Sequence, residues 1–386
     1  MIEGRAALDR ARVLAVGGAN VEHGYALPPN FLPDTKVTID PQPWLAGGSS
    51  VNHGCRLLAM GVDVDPVLPL AKRDPMSAVI VEALGAAAST GAATCRRTDL
   101  LVRGAGLATP YTTIIRQGAG RAVLNEFSPD LMTAYAEHVD RHLAALARRR
   151  SSPDVVMIGH IHADRARETR QGVGHAGAIS RRVLSSPALA SARRFVNFGS
   201  AQYKLGAKRW SRVLRDRVDV FQLDIGETRR FCADAGLADE SLESILGWFR
   251  ERCTVIVTLE RFGAIGQLAG SDQPIAVWPF LIDDLADTTG AGDAMGAGVV
   301  ASMLVEDFHA TDVDDAERSD RFQRALEFGR VCGAYACTTV GGASECPSLE
   351  VLAEFEHRAR RPLSERDARR EVTSHDLFLI DRAFDA

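Results

Sequence analysis

Seven consecutive residues, Asp287-Thr288-Thr289-Gly290-Ala291-Gly292-Asp293, put an acid on each side of a glycine-bearing turn. The small apolar run that follows, Ala294 to Leu304, predicts that this turn opens a helix. Unpaired N–H groups at such an end, backed by the helix dipole, make an anion-binding site. An acid in the same turn repels an anion, so Asp293 needs another task, and taking a proton from a hydroxyl is the obvious one. A second glycine turn, Gly47-Gly48 with Asn52 beyond it, leads into the small-residue stretch His53 to Gly61, which reads as a helix closed by its glycine.

The elements that must carry these turns follow from periodicity. Val13 to Val16 is a short apolar strand ending in Gly17-Gly18, which leaves Asn20 and Glu22 at a sheet edge. The spacing of a dinucleotide-binding glycine loop is absent there, which argues against a dehydrogenase. Asp63 to Leu70 reads as a strand and Met76 to Leu84 as a helix. Further strand-like runs recur at 154–158, 194–198, 218–223 and 254–259 with helical or polar stretches between them, which predicts a mostly parallel sheet covered by helices. Residues 264–269 and 274–278 add antiparallel edge strands; helices are expected over 132–150, 291–305 and 321–336.

A second, smaller sheet is expected outside this body. Residues 110–116 and 122–127 flank Gln117-Gly118-Ala119-Gly120-Arg121, which is a hairpin with a glycine loop. Prolines at 28, 29, 33, 41 and 43 bar a helix between Ala26 and Leu45, and Lys36 to Asp40 alternates like an edge strand that joins the hairpin.

With 386 residues, 46% hydrophobic and 25% charged, the chain is long enough for a sizeable core and ordinary for a soluble protein. No apolar run approaches the roughly 20 residues of a membrane span, and the start of the chain lacks the layout of a secretory signal, so a cytoplasmic protein is expected. The net charge of −5, from 45 basic and 50 acidic residues, leaves no footprint for nucleic acid. Seven scattered cysteines form neither a disulfide framework nor a zinc-ligand spacing.

Taken together, Asp287 to Asp293 resembles the carboxy-terminal signature of the ribokinase-like carbohydrate kinases, the PfkB family, and Gly47-Gly48-x-x-x-Asn52 resembles their amino-terminal one. The resemblance extends through the hairpin, Asp224-x-x-Glu227, Thr258-Leu259 with Gly263, and Val340 to Ala343, and spans about residues 12 to 356. It implies a three-layer α/β ribokinase-like fold over 12–358, with lid segments at about 22–46 and 108–128 and a C-terminal extension over 359–386 that docks on the body or on a partner. The implied reaction is transfer of the γ-phosphoryl group of ATP to an alcohol of a sugar or sugar-like molecule. A nucleoside kinase, or a non-catalytic sugar- or nucleotide-binding regulator of the same fold, is the alternative.

By the same resemblance Asp293 is the base, and the N–H groups of Gly290, Ala291 and Gly292 hold the phosphoryl oxygens. Asn20, Glu22, Gly47, Gly48 and Asn52 line the acceptor pocket. Thr258, Gly263, Thr288, Gly342, Asp224 and Glu227 border the nucleotide. Glu227 serves magnesium through water, Asp287 is a potassium ligand, and a homodimer forms through the lid. For Asp224 and Glu227 the competing reading is a capped helix start. The chain departs from the family at Glu22, where Asp is usual; at Ser49, where ribokinase has lysine, leaving Arg116 or Arg121 as the basic candidates; and at Glu260, which replaces a glycine beside the donor phosphates. The Glu22 departure bears on the acceptor and the Glu260 departure on the donor, and the three together permit the non-catalytic regulator.

Overall fold

The computed structural model describes residues 5–28, 30–31, 34, 36–40, 42–72, 74–96, 100–104, 106–117, 120–149, 151–161, 176–199, 202, 207–234, 236–359 and 377. The apolar runs read as strands are strands, and almost all of their residues are buried, as expected where both faces of a sheet are covered. They are β1 (Arg12–Val16), β4 (Asp63–Val67), β9 (Val155–Ile158), β10 (Arg193–Asn197), β11 (Val220–Asp224) and β12 (Thr254–Thr258), all parallel. β13 (Ala264–Gln267) and β14 (Pro274–Val277) extend the sheet antiparallel, and the order is β14-β13-β12-β11-β10-β9-β1-β4.

Alternate residues of each strand enter opposite cores. Val13 and Ala15 of β1, with Val155 and Met157 of β9, join one apolar cluster; Leu14 and Val16, with Val156 and Ile158, join the other. The first cluster is completed by α2 (Ser49–Ala59), α3 (Pro75–Gly91), α9 (Ala291–Val305) and α10 (Asp315–Ala336), after α1 (Arg5–Leu8). The second is completed by α4 (Pro129–Arg149), α5 (Ala176–Leu184), α6 (Ala207–Arg217), α7 (Ile225–Asp234) and α8 (Leu242–Arg250). A last helix, α11 (Leu349–Arg358), packs on α10. Burying one Leu or Phe in such a core contributes about 1.5–3 kcal/mol. Small residues on α9 have a packing use too: a Cβ on Gly298 would meet Gly329 Cα of α10 at 2.9 Å.

The small sheet has the order β3-β2-β7-β8, from β2 (Asn20–Leu27), β3 (Trp44–Gly47), β7 (Tyr111–Gln117) and β8 (Gly120–Glu126). β2 runs antiparallel to β3 and parallel to β7, which forms the expected hairpin with β8. The expectation of a strand at 36–40 is corrected: these residues are irregular, and Asn20 and Glu22 lie within a strand. Alternation alone makes no strand without a ladder partner, and residues 36–40 take no place in the order β3-β2-β7-β8. The remaining pair, β5 (Leu70–Ala71) with β6 (Leu101–Val102), is a short parallel clip.

Three helices also differ at their ends from the sequence expectation. α2 starts at Ser49, α3 runs on to Gly91, and α10 starts at Asp315, where Asp314 caps it through Glu317 N–H. Beyond Ala359, only Leu377 of the expected extension lies within the described residues, and it is buried in the second core. Among the described residues no helix is long and apolar enough to cross a membrane.

Candidate functional site

Both glycine turns lie at the carboxyl ends of the parallel strands, where open α/β sheets leave a crevice. α2 is held there by the loops after β1 and β9: Ser50 N–H donates to Gly18 O at 3.2 Å, and Ser49 Oγ accepts from His160 N–H at 2.6 Å. Gly48 and Gly290 precede their helices with φ of 93° and 78°, a left-handed backbone that glycine adopts without strain. α9 is tied to the sheet by Gln222 of β11, whose Nε2 donates to Gly292 O at 2.8 Å.

The two helix starts meet side chain to side chain. Asn52 Nδ2 donates to Asp293 Oδ2 at 2.7 Å. Against Asn52 lies Gly342, where a Cβ would land on the Asn52 carboxamide, and a Cβ on Gly290 would come within 2.7 Å of Gly342 Cα. Arg56, buried on α2, holds that loop by donating from Nη2 to Gly342 O at 3.0 Å. His53 Nε2 is 3.5 Å from the other Asp293 oxygen, Oδ1. Burial drives the His53 imidazole down to about 4 against the pull of Asp293, and His160 and Arg56 push the same way, so it is neutral at pH 7.

One face of the small sheet completes the site. Asn20 Nδ2 donates to Thr112 Oγ1 at 2.8 Å and lies 3.3 Å from Glu22 Oε1, and Thr112 Oγ1 donates to Asn125 Oδ1 at 2.8 Å. The Glu22 carboxyl occupies the space that a Cβ on Gly47 would need. Burial raises its pKa; the Asn20 hydrogen bond opposes this, Asp287 and Asp293 add to it, and Arg116 opposes. Burial also works against ionisation of Asp287, but donors win and hold it below the usual carboxylate range. They are Thr289 N–H and Oγ1 on Oδ1, at 3.0 and 2.8 Å, and Gly341 N–H and Arg116 Nη2 on Oδ2, at 3.2 and 3.5 Å.

Four donors fill the roughly four lone-pair positions of a carboxylate. Asp287 is the side chain expected to serve a potassium ion, and these four hydrogen bonds hold it in place. Ala291 N–H, one of the three amides expected to bind phosphate, is taken by Thr288 O at 3.3 Å.

Of the residues expected on the nucleotide side, Thr288 and Gly342 lie with the Asp287 to Asp293 turn. Asp224, Glu227, Thr258 and Gly263 lie at the ends of β11 and β12, where Asp224 pairs in register with Thr258. Here the capping interpretation has direct support: Asp224 Oδ1 accepts Glu227 N–H at 2.6 Å, and Thr228 Oγ1 donates to Asp224 O. Burial raises the pKa of Glu227, opposed by His160. Gly263 has φ of 94° and faces the β14 backbone, where a Cβ would collide with Val277 O. Glu260 is exposed, with φ of 50°, so its backbone keeps a glycine-like conformation. Among the described residues no group of three or more His, Cys, Asp or Glu could hold a metal ion.

Sequence reasoning missed His53, Arg56, Thr112 and Gln222. Gln222 carried a signal, being a polar residue in the apolar run Val220-Phe221-Gln222-Leu223. A buried polar side chain needs a partner, and its partner here is the turn itself.

Residues 204–349 match the family described as pfkB family carbohydrate kinase. An uncharacterized sugar kinase of Dictyostelium discoideum is 34% identical over 73 residues, 19% of this chain and 17% of its own length. An ATP-dependent ribose-1-phosphate kinase of Halopiger xanaduensis is 31% identical over 123 residues, 31% of this chain and 35% of its own. The chain thus spans well under two thirds of the length of these relatives. Among solved structures, a nucleoside kinase of Methanocaldococcus jannaschii matches at 13% identity with a TM-score of 0.64, over 90% of this chain and 98% of that one. Ribokinase of Arabidopsis thaliana, complexed with ribose and ATP, matches at 16% identity and 0.59, over 89% and 98%. These likenesses show the fold.

Proposed function

We propose that this chain, which carries a PfkB-family domain on the ribokinase fold, transfers the γ-phosphoryl group of ATP to a hydroxyl of a sugar or sugar-like acceptor. One observation carries the reading: the 2.7 Å bond from Asn52 to Asp293, which joins the helix start suited to an acceptor to the one suited to a phosphoryl group. In this reading residues 12–358 act as one kinase unit.

The acceptor lies between the small sheet and α9. Asn20, Glu22 and Asn52 bind its hydroxyls, with Gly47 and Gly48 allowing close approach. The Glu22 carboxyl oxygens, half-buried beside Asn20, accept from hydroxyls of a polyhydroxyl acceptor. Asn52 orients the Asp293 carboxylate, which takes the proton of the attacking hydroxyl, a step that contributes about 10²–10⁴-fold. The Gly290 to Gly292 turn, with its dipole, stabilises the transferring group. Thr258, Gly263, Thr288, Gly342, Asp224 and Glu227 border the nucleotide. Glu227 would hold magnesium arriving with that nucleotide, through water, and the ion would supply neutralisation of phosphate charge. Closure of the small sheet excludes water, which competes with the acceptor.

A pairing of two copies through the small sheet belongs to the same reading, supported by exposed Trp44, Val123 and Leu124 on its edge strands β3 and β8. The test of the activity is an ADP-release screen across pentoses, hexoses, their phosphates, inositols and nucleosides, run on wild type and Asp293→Asn. ADP release with a sugar that the variant lacks supports the reading. Nucleosides as the sole acceptors would move it to a nucleoside kinase. Clear binding with no ADP release would make the chain a sensor.

A further inference from the structure

His53 lies one residue beyond Asn52, at full burial, and neither ring nitrogen has a hydrogen-bond partner within ordinary distance. A buried polar group left this way carries a cost that a merely apolar packing role would avoid. Two acceptor oxygens lie in the surroundings of its Nε2. One is Asp293 Oδ1 at 3.5 Å. The other is Gln222 Oε1, also buried and unpartnered: a Cβ on Gly296 would sit 2.7 Å from Gln222 Oε1 and 3.2 Å from His53 Nε2. Gly296 therefore keeps open the space in which these groups approach. Through its other end, Gln222 holds Gly292 O, so the imidazole borders both the acid and the support of the glycine turn.

We infer that His53 is a positioning residue for Asp293: its Nε2–H steadies carboxylate oxygen Oδ1 while Asn52 holds Oδ2, so the base meets the acceptor in one orientation. The inference rests on the reading of Asp293 as base. A neutral imidazole carries one proton, and on Nε2 that proton faces Asp293 Oδ1 at 3.5 Å. Contacts of this kind are often long in an unliganded site and tighten around the substrate. The charged and titratable groups around the pair are Arg56 and His160, facing His53, and Glu22 from the small sheet, facing Asp293. Asp287 and Arg116 lie beyond Glu22.

Removing a donor from a carboxylate raises its proton affinity, so the acid limb of the kcat profile moves to higher pH. With the best acceptor from the screen, His53→Leu is expected to lower kcat about ten-fold or more by freeing the base to turn. KM for acceptor and ATP should stay within two- to three-fold, with the acid limb displaced upward. His53→Gln, which keeps a donor, should recover most of the loss and return the limb toward wild type. An unmoved limb, or a Gln variant no better than Leu, overturns the inference while leaving Asp293 as base if Asp293→Asn is inactive. Normal turnover by Asp293→Asn overturns the base assignment itself and the inference with it.

If the Leu variant does not fold, or no acceptor is found, nitrogen NMR of histidine-labelled wild type at pH 7 decides. A His53 ring protonated on Nε2, with a resonance that moves in Asp293→Asn, supports the contact. A ring protonated on Nδ1, or a resonance indifferent to Asp293, refutes it.

Discussion

The acceptor side and the nucleotide side of the crevice are built in different ways. Around Asp293 the bonds join residues far apart in sequence: Asn52 with Asp293, Arg56 with Gly342, Asn20 with Thr112, Gly341 with Asp287. Around Asp224 the bonds are local, closing within three or four residues, and Asp224 and Glu260 are exposed. Fixed long-range bonds in a buried place keep polar groups oriented before anything binds, which is what electrostatic stabilisation of a transition state requires. Local caps only finish a helix. In the proposed reading the acceptor side is thus tied by long-range bonds, and the nucleotide side around Asp224 mainly by local caps.

The largest test of this contrast is Asp293→Asn. The substitution keeps the shape of the residue, so thermal unfolding should stay within a degree or two of wild type. Turnover should fall by about 10²–10⁴-fold. Gly342→Ala comes next. Its methyl group would land on the Asn52 carboxamide, which is pinned by Asp293 and cannot retreat freely. A displaced Asn52 misorients the base, and kcat/KM is expected to fall about 10²-fold. Overpacking should cost about 1–3 kcal/mol in denaturant titration. Normal turnover from the alanine variant would mean that the interlocked side is not rigid.

How much of this was legible before the structure depended on how local the cause was. β1, β9, β11 and β12 were readable because an apolar run buried on both faces needs no knowledge of its neighbours. α9 was readable to the residue, since Gly290 and the acid after it mark a helix start. The segment 36–40 was misread because a strand is defined by its partner, which alternation within one segment does not reveal. Ser49 departed from the family's lysine without explanation in sequence; in the fold it receives His160 N–H. His53 stood beside a motif residue and still carried no signal, since its meaning comes from Asp293, 240 positions away. Asp287 was read as a cation ligand, and no spacing foretells the four donors that the fold gives it.

Glu22→Gln probes the charge stored on the acceptor side, with a smaller effect. Glu22 has a raised pKa in the folded chain because it is buried near two acids. Between its unfolded pKa, close to 4.5, and the raised folded value, the folded state binds more proton than the unfolded. Stability contributed by this residue therefore declines as pH rises through that window and is level above it. Glutamine cannot ionise, so the variant should lose this decline. Denaturant titrations of both proteins from pH 4 to pH 8 should diverge upward in pH, the variant being the more stable at neutral pH. Parallel curves would place Glu22 in contact with solvent.

The smallest effect falls on the other side of the crevice. Glu260 holds a left-handed backbone at φ of 50°, next to Gly263 at 94°. A residue with a Cβ is disfavoured there by about 1–2 kcal/mol, and glycine is not. Leu259 N–H donates to Gly263 O at 2.8 Å, so the loop is closed around this residue and the conformation is imposed by its neighbours. Glu260→Gly should thus stabilise the chain by up to about 1 kcal/mol, since glycine's greater freedom in the unfolded chain offsets part of the relief. The same change removes an acid from the nucleotide side, so KM for ATP should fall while KM for the acceptor does not move. A change in acceptor KM as large as that in ATP KM would mean that the two sides are mechanically joined, and the distinction between a half tied by long-range bonds and a half tied by local caps would fail.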